Sequence, residues 1–248
     1  MIGIIGLGKL GGAFAQGFLN SGIQVLAYDI NTGKLEEEAV QRAASDSEVL
    51  ERSSIILLSL KPEMLLELLR KNPKAAKGKI LVSPAANLSL EKMEEVSPYL
   101  KIIRIMPNIG ASVEHTPIPY VLGKNISKEE ENSFLEMFSR IGVAAKVKEE
   151  HMDIITAIVG SSPAYFAYFA RAMREAAKEA GVNEETANIL LAQSLSGTGA
   201  LLSNNSCEEI MEKVTTKGGV TEKGIKELES AGVYLAIKHA IKIQSKKE

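Results

Sequence analysis

The chain has one cysteine, no tryptophan and three histidines among its 248 residues. A lone Cys207 excludes an internal disulfide framework and a cysteine-based metal cage. Its polar surroundings read as a helix start rather than as the setting of a nucleophile. His115, His151 and His239 form no H-x-x-x-H pair, so no metal site is expected. No apolar run approaches the ~18–20 residues needed to span a bilayer, so no membrane partner is expected. The N-terminus shows no basic leader with a small-residue cleavage site; Met1-Ile2-Gly3-Ile4-Ile5 reads as a buried strand, and the cytoplasm is the expected compartment. An excess of charge of one sign is also missing. Lys and Arg number 29 against 31 Asp and Glu, a formal charge of −2, which argues against a nucleic-acid partner. Lys242, Lys246 and Lys247 read as a solvated helix end.

What is present is ordinary globular composition, with 45% hydrophobic and 24% charged residues. The length suits one large or two modest domains. Through about residue 148, short apolar runs alternate with helical patterns. Strands are predicted at 1–5, 23–28, 54–60, 79–83, 101–106, 117–122 and 143–148, and helices at 10–21, 32–42, 62–71 and 127–141. Ile55-Ile56-Leu57-Leu58 and Ile80-Leu81-Val82 are apolar without alternation, as strands covered on both faces are. The alternation predicts a parallel sheet with right-handed crossovers. From residue 150 the pattern is helical only, with breaks at 160–163, 180–183, 204–206 and 217–219. The segment 164–180 is apolar around most of its circumference, and the remaining helices are too few to bury it. An all-helical dimerisation domain over 150–248 is therefore expected.

The chemistry begins at Gly6-Leu7-Gly8-Lys9-Leu10-Gly11, which fits G-x-G-x-x-G between a strand and a helix. The first Gly permits the tight turn, the second lets the backbone approach a pyrophosphate, and the third lets helix pack on strand. The helix start then offers unpaired N–H groups and the positive end of its dipole. The other reading is a glycine-rich turn with no ligand. Asp29 closes the second strand, where a carboxylate accepts from adenosine ribose hydroxyls and repels a 2′-phosphate. Asn31 and Thr32 follow without an arginine, and Lys34 is the nearest cation, which favours NADH over NADPH. Asp29 also suits an N-cap of the next helix, and both roles can coexist. The expected class is α/β, an N-terminal Rossmann dinucleotide-binding domain over 1–149 followed by the all-helical domain.

Four further segments, in order with the glycine loop, resemble the pyrroline-5-carboxylate reductase family: Ser59-Leu60-Lys61-Pro62, Arg104-Ile105-Met106-Pro107-Asn108, Gly160-Ser161-Ser162-Pro163-Ala164-Tyr165, and Val214-Thr215-Thr216-Lys217-Gly218-Gly219-Val220-Thr221. The resemblance covers nearly the whole chain. It implies reduction of 1-pyrroline-5-carboxylate to L-proline by hydride from NADH or NADPH, and a homodimer that can build larger rings. It places Leu60, Lys61 and Pro62 along the cofactor and Met106, Pro107 and Asn108 near its nicotinamide. It places the imino acid at Gly218, Gly219, Val220 and Thr221, with backbone N–H groups on its carboxylate and the Thr221 hydroxyl near the imine nitrogen. Such chemistry needs alignment more than a strong acid, because a protonated imine is already electrophilic. Plainer roles exist for the same residues. Pro163 suits a helix opening, Lys217-Gly218-Gly219 an inter-helix turn, Met106-Pro107-Asn108 a strand end, and Tyr165 and Tyr168 packing.

Several positions depart from the family pattern. Ser-Pro-Gly-Gly-Thr-Thr becomes Thr216-Lys217-Gly218-Gly219-Val220-Thr221, which adds a charge beside the implied carboxylate site. Met-Pro-Asn-Thr-Pro-Ala becomes Met106-Pro107-Asn108-Ile109-Gly110-Ala111, Ala-Ala-Gly becomes Ala85-Ala86-Asn87, and Arg171 replaces a common glutamate. Two other functions suit the same chain: a reductase of another cyclic imine or of a keto acid, and a non-catalytic dinucleotide-binding regulator. A 2-hydroxy-acid dehydrogenase would need a His–carboxylate pair and a carboxylate-binding Arg, and no such set can be placed.

Overall fold

The apolar run at the start of the chain forms β1 (Ile2–Ile5), the centre of an eight-stranded sheet. The computed structural model describes residues 1–31 and 40–245. Next come α1 (Lys9–Asn20), β2 (Val25–Tyr28), β3 (Gln41–Arg42), α2 (Asp46–Arg52), β4 (Ile55–Leu58), α3 (Pro62–Lys71) and β5 (Ile80–Ser83). They are followed by α4 (Leu90–Glu94), β6 (Lys101–Ile105), a 3-10 turn (Ile109–Val113), β7 (Thr116–Leu122), α5 (Lys128–Phe138) and β8 (Gly142–Lys146). The strand order is β3-β2-β1-β4-β5-β6-β7-β8.

All pairings from β3 to β6 are parallel, as expected; β7 runs antiparallel to β6, and β8 parallel to β7. The reversal is a departure from the parallel sheet expected from the alternation. Only residues 106–115 connect β6 to β7, too few for a parallel crossover of about a dozen residues or more. The unbroken apolar runs serve two faces. Ile55 and Leu57 join a core with Phe14 and Phe18 of α1 and Phe134 and Phe138 of α5. Ile56 and Leu58 join the opposite core with Leu50, Leu65, Leu69 and Met93. Successive strand residues point to opposite faces, so a strand covered by helices on both sides must be apolar throughout.

Most of the expected helix at 32–42 lies outside the described residues, and its last two positions form β3, paired with Leu26 and Ala27. Two short helices were not expected. Ser45 caps α2 by accepting from the Glu48 N–H at 3.1 Å, and Ser89 caps α4. The chain divides into two compact units, Met1–Pro163 and Ala164–Glu248, later than the 149/150 boundary expected from the change in pattern. The difference has a physical reason: α6 (Met152–Ile155) and the π-helical turn Thr156–Gly160 belong to the first unit, where Met152 and Ala157 are buried. The expected break at 160–163 is this widened turn. It leads into α7 (Ser162–Glu179), with Pro163 in the first turn.

The second unit continues with α8 (Glu184–Leu202), α9 (Cys207–Val214), α10 (Val220–Ser230) and α11 (Val233–Ser245). Ser206 caps α9 in a capping box with Glu209, which leaves Cys207 exposed in the first helical turn. Gly232, in the left-handed region at φ +73°, ends α10 at a break the pattern did not reveal. Among the described residues of this unit Ala187 alone is buried, while Phe166, Ile189, Leu190, Tyr234 and Leu235 each stand more than half exposed.

Candidate active site

The three glycines of the first loop meet different surroundings. Gly6 sits at φ +93°, and a Cβ there would lie 2.3 Å from the Ser59 carbonyl oxygen. A Cβ on Gly11 would lie 2.0 Å from the Gly6 carbonyl oxygen, so only glycine lets α1 settle on the end of β1. Gly8 differs: a Cβ there would meet nothing within 4 Å, and the residue lines a cleft of about 440 Å³. Gly8 is also the N-cap of α1, has no side chain to cap with, and is followed by no acidic residue in the first turn. The α1 amides therefore face open space with the positive end of the helix dipole, an arrangement that fits a pyrophosphate.

Asp29 is only 7% exposed yet lines the same cleft. Its carboxylate accepts from the Leu7 N–H at 2.6 Å and the Asn31 N–H at 2.8 Å, so it braces the glycine loop from the neighbouring strand. Across the cleft stand Leu60 and Lys61, which follow β4; Pro62, half-buried at the first position of α3, does not line it. The wall continues along α3 through Met64, Glu67, Leu68 and Lys71, which the sequence reading did not single out. Their signal was present: 61, 64, 68 and 71 repeat at helical spacing after the Leu60-Lys61-Pro62 motif.

The other expected contacts divide. Lys9 is exposed, whereas Leu7 is buried in the core and Leu10 packs against it. Lys34 and Thr32 lie outside the described residues. Met106, Pro107 and Asn108 are buried and do not line this cleft. Asn108 acts as a tie: its Oδ1 accepts from the Gly110 N–H at 2.9 Å, and its Nδ2 donates to the Val159 carbonyl at 3.0 Å. Its backbone N–H donates to Thr116 Oγ1 at 3.0 Å. One departure keeps its backbone shape: Asn87, where the family pattern has glycine, adopts φ +60°, which asparagine tolerates better than most residues. Arg171 lies over the exposed Tyr168 ring, 4.9 Å from its centroid, and Tyr165 hydrogen-bonds Gln244.

In the second unit, Gly218 turns the chain at φ +77° and Gly219 is the N-cap of α10. The Gly219 N–H donates to the Thr216 carbonyl at 2.8 Å. The Gly218 N–H donates to Glu222 Oε2 at 2.6 Å, and Lys226 Nζ holds the other oxygen at 2.9 Å. These bonds, Lys226 first and Gly218 next, hold the Glu222 carboxyl below the usual carboxylate range. Val220 and Thr221 occupy the exposed first turn of α10, where helix amides lack intrahelical acceptors. Glu222 was not anticipated, although an acidic residue three places after a capping glycine is the signal for such a reach-back.

A sheet in this strand order, a glycine loop that opens on a cleft and a carboxylate closing β2 define a Rossmann dinucleotide-binding protein. Residues 1–87 match the family model described as NADP oxidoreductase coenzyme F420-dependent, and residues 149–248 match the one described as Pyrroline-5-carboxylate reductase dimerisation. The chain is 33% identical to the pyrroline-5-carboxylate reductase of Methanosarcina acetivorans over 97% of its own length and 93% of that protein. It is 29% identical to pyrroline-5-carboxylate reductase 2 of Bacillus subtilis over 99% and 93%. A crystal structure of Plasmodium falciparum pyrroline carboxylate reductase with NADP bound is similar with a TM-score of 0.89 at 25% identity, covering 98% of this chain and 95% of that one. The chain belongs to the pyrroline-5-carboxylate reductase family.

Proposed function

We propose that the chain reduces 1-pyrroline-5-carboxylate to L-proline, the last step of proline synthesis, with NADH or NADPH as reductant. The observation that carries the reading is the 33% identity with the Methanosarcina acetivorans reductase along 97% of the chain. The open face of Gly8 supports the dinucleotide half independently. The nicotinamide, when bound, supplies the hydride. The remaining work belongs to the chain. Gly6 to Gly11 cradle the pyrophosphate, with Lys9 and Leu10 supplying first-turn amides. Asp29 takes the adenosine ribose, and Leu60, Lys61 and Pro62 border the nucleotide, with Met106, Pro107 and Asn108 holding the loop toward the nicotinamide end.

The imino acid is assigned to Gly218, Gly219, Val220 and Thr221. Backbone N–H groups at the start of α10 hold its carboxylate, and the Thr221 hydroxyl donates or relays a proton at the imine nitrogen. The division of labour follows residues 1–149 and 150–248. NADH is the preferred nucleotide on the charge of Asp29, which opposes a 2′-phosphate. NADP in the Plasmodium falciparum relative makes that preference a property to be measured on this chain.

A homodimer is the working assembly, because the second unit leaves its apolar side chains uncovered within one chain. Rings of dimers are the proposed extension. No helix among the described residues is long and apolar enough to cross a membrane. The proposed compartment is the cytoplasm, where the lone exposed thiol Cys207 stays reduced.

The test is nucleotide oxidation by the purified protein with pyrroline-5-carboxylate, piperideine carboxylates and keto acids in parallel, each with NADH and NADPH. Turnover of pyrroline-5-carboxylate, faster with NADH, is expected. Zero turnover of every cyclic imine would overturn the reading, and preference for a six-membered imine would redirect it.

A further inference from the structure

The carboxylate of Glu222 stands on an amide that the proposed function assigns to the substrate. It is held from two sides, by the Gly218 N–H at 2.6 Å and Lys226 Nζ at 2.9 Å, and the side chain is 28% exposed although its neighbours Thr221 and Lys223 are open to solvent. A short charge-assisted bond of this kind is stronger than a neutral one, so the side chain rests there rather than sweeping through solvent. The Gly219 N–H is committed to Thr216 and the Lys223 N–H to Gly219, which leaves the amides of Val220, Thr221 and Glu222 as the donors of the turn. An imino-acid carboxylate arriving at those amides meets a like charge within the first turn of α10. It binds beside Glu222 or displaces it, and both routes weaken the complex. Lys217 and Lys223 flank the turn and offset part of that repulsion.

We propose that Glu222 is a specificity-determining residue, a built-in carboxylate that competes with the substrate's own for the start of α10 and so sets the affinity for carboxylated imines. The proposal rests on the reading that residues 218–221 hold the substrate carboxylate. Glu222 differs from the first-turn acids of α8 and α9, which sit behind an Asn or a Ser cap. Here the cap is glycine without a side chain, and the acid reaches back to the Gly218 N–H instead.

The experiment compares the wild-type enzyme with Glu222→Gln and Glu222→Ala, using pyrroline-5-carboxylate and 1-pyrroline, the same ring without the carboxylate. Glu222→Gln keeps the acceptor and the size but removes the charge; Glu222→Ala also frees the amide. The KM for pyrroline-5-carboxylate is expected to fall about three- to tenfold, the range of a single charge at a helix start. The KM for 1-pyrroline and the Kd for NADH serve as measures of a fold left intact. Unchanged or raised KM for pyrroline-5-carboxylate in both variants, with the wild type still favouring it over 1-pyrroline, overturns the role of Glu222 alone. An equal fall for both imines does the same. Equal KM for the two imines in the wild type overturns the carboxylate site and, with it, the proposal.

Discussion

The Leu7 N–H donates to Asp29 Oδ2 at 2.6 Å, so the residue that closes β2 holds in place the loop that follows β1. A carboxylate placed where a ribose would be recognised thus has a second duty within the protein. The two duties separate by substitution. Asp29→Asn keeps an acceptor for Leu7 and removes the charge; it is expected to shift the NADPH-to-NADH preference toward NADPH by about tenfold, close to the energy of one charge contact. Asp29→Ala strands the buried amide, which costs about 1–3 kcal/mol, and is expected to weaken both nucleotides together. Fluorescence titration of each variant with NADH and NADPH checks both outcomes. An unchanged preference in Asp29→Asn, with both nucleotides weakened only in Asp29→Ala, would show that the residue acts through the brace and not through its charge.

The glycines of the loop should fail in different ways. Gly6→Ala and Gly11→Ala drive a Cβ into backbone oxygens at 2.3 and 2.0 Å, a clash worth about 1–3 kcal/mol of stability. Gly8→Ala meets no protein atom and should leave the melting temperature near that of the parent. It should nonetheless weaken NADH, because its methyl enters the space left for the ligand. Thermal melts with and without NADH separate these cases. A Gly8→Ala variant that binds NADH normally would remove the pyrophosphate from that place.

All seven predicted strands exist; the central ones, covered on both faces, leave an apolar run that no loop imitates. Strand direction is not written in such runs. The reversal at β7 follows from the short connection at 106–115, which pattern alone leaves unread. Helices α2 and α4, of seven and five residues, are too short to show a helical period; only Ser45 and Ser89 marked their starts. At the site, Gly6, Gly8, Gly11 and Asp29 were legible because backbone geometry and close approach dictate them. Met64 and Lys71 share the helical spacing of Lys61, but that period alone does not say that this face of α3, rather than another, lines the cleft; that depends on how the helix leaves β4. Asn108 was read as a ligand neighbour, and its ties to Gly110, Thr116 and Val159 appear only once the sheet brings those segments together.

A half-buried network around Glu131 makes the stability of the first unit depend on pH. Glu131 is drawn down to about 2 by hydrogen bonds from Lys128, Tyr120 and Lys146 that outweigh its burial. An unfolded chain protonates the same group near ~4.3. The stabilisation is therefore fully present above about pH 5 and lost as the pH falls toward 2. Tyr120 is pushed up to about 12, by burial first and then by Glu131, so its contribution fades as the pH rises from ~10 toward that value. Urea melts from pH 6 down to pH 3 should show falling stability in the wild type and a flatter course in Glu131→Gln. Equal slopes would remove the network from the acid limb.

The second unit buries too little apolar surface to be expected to hold together as an isolated chain. Its helices bury Ala187 alone among the described residues, while Leu190 and Leu235 stand 63% and 68% exposed. Apolar surface left in water contributes nothing to folding, and each such side chain regains about 1.5–3 kcal/mol only when a second copy covers it. Folding of this unit and dimer formation should then be one event. Its melting temperature is expected to rise with protein concentration, as linkage to association requires. Leu190→Glu and Leu235→Glu should shift the dimer to monomer in analytical ultracentrifugation and lose helical signal as they do so. Tyr99→Glu, an exposed aromatic of the first unit, should do neither. Fully helical monomers in the two leucine variants would show that the unit folds without its partner.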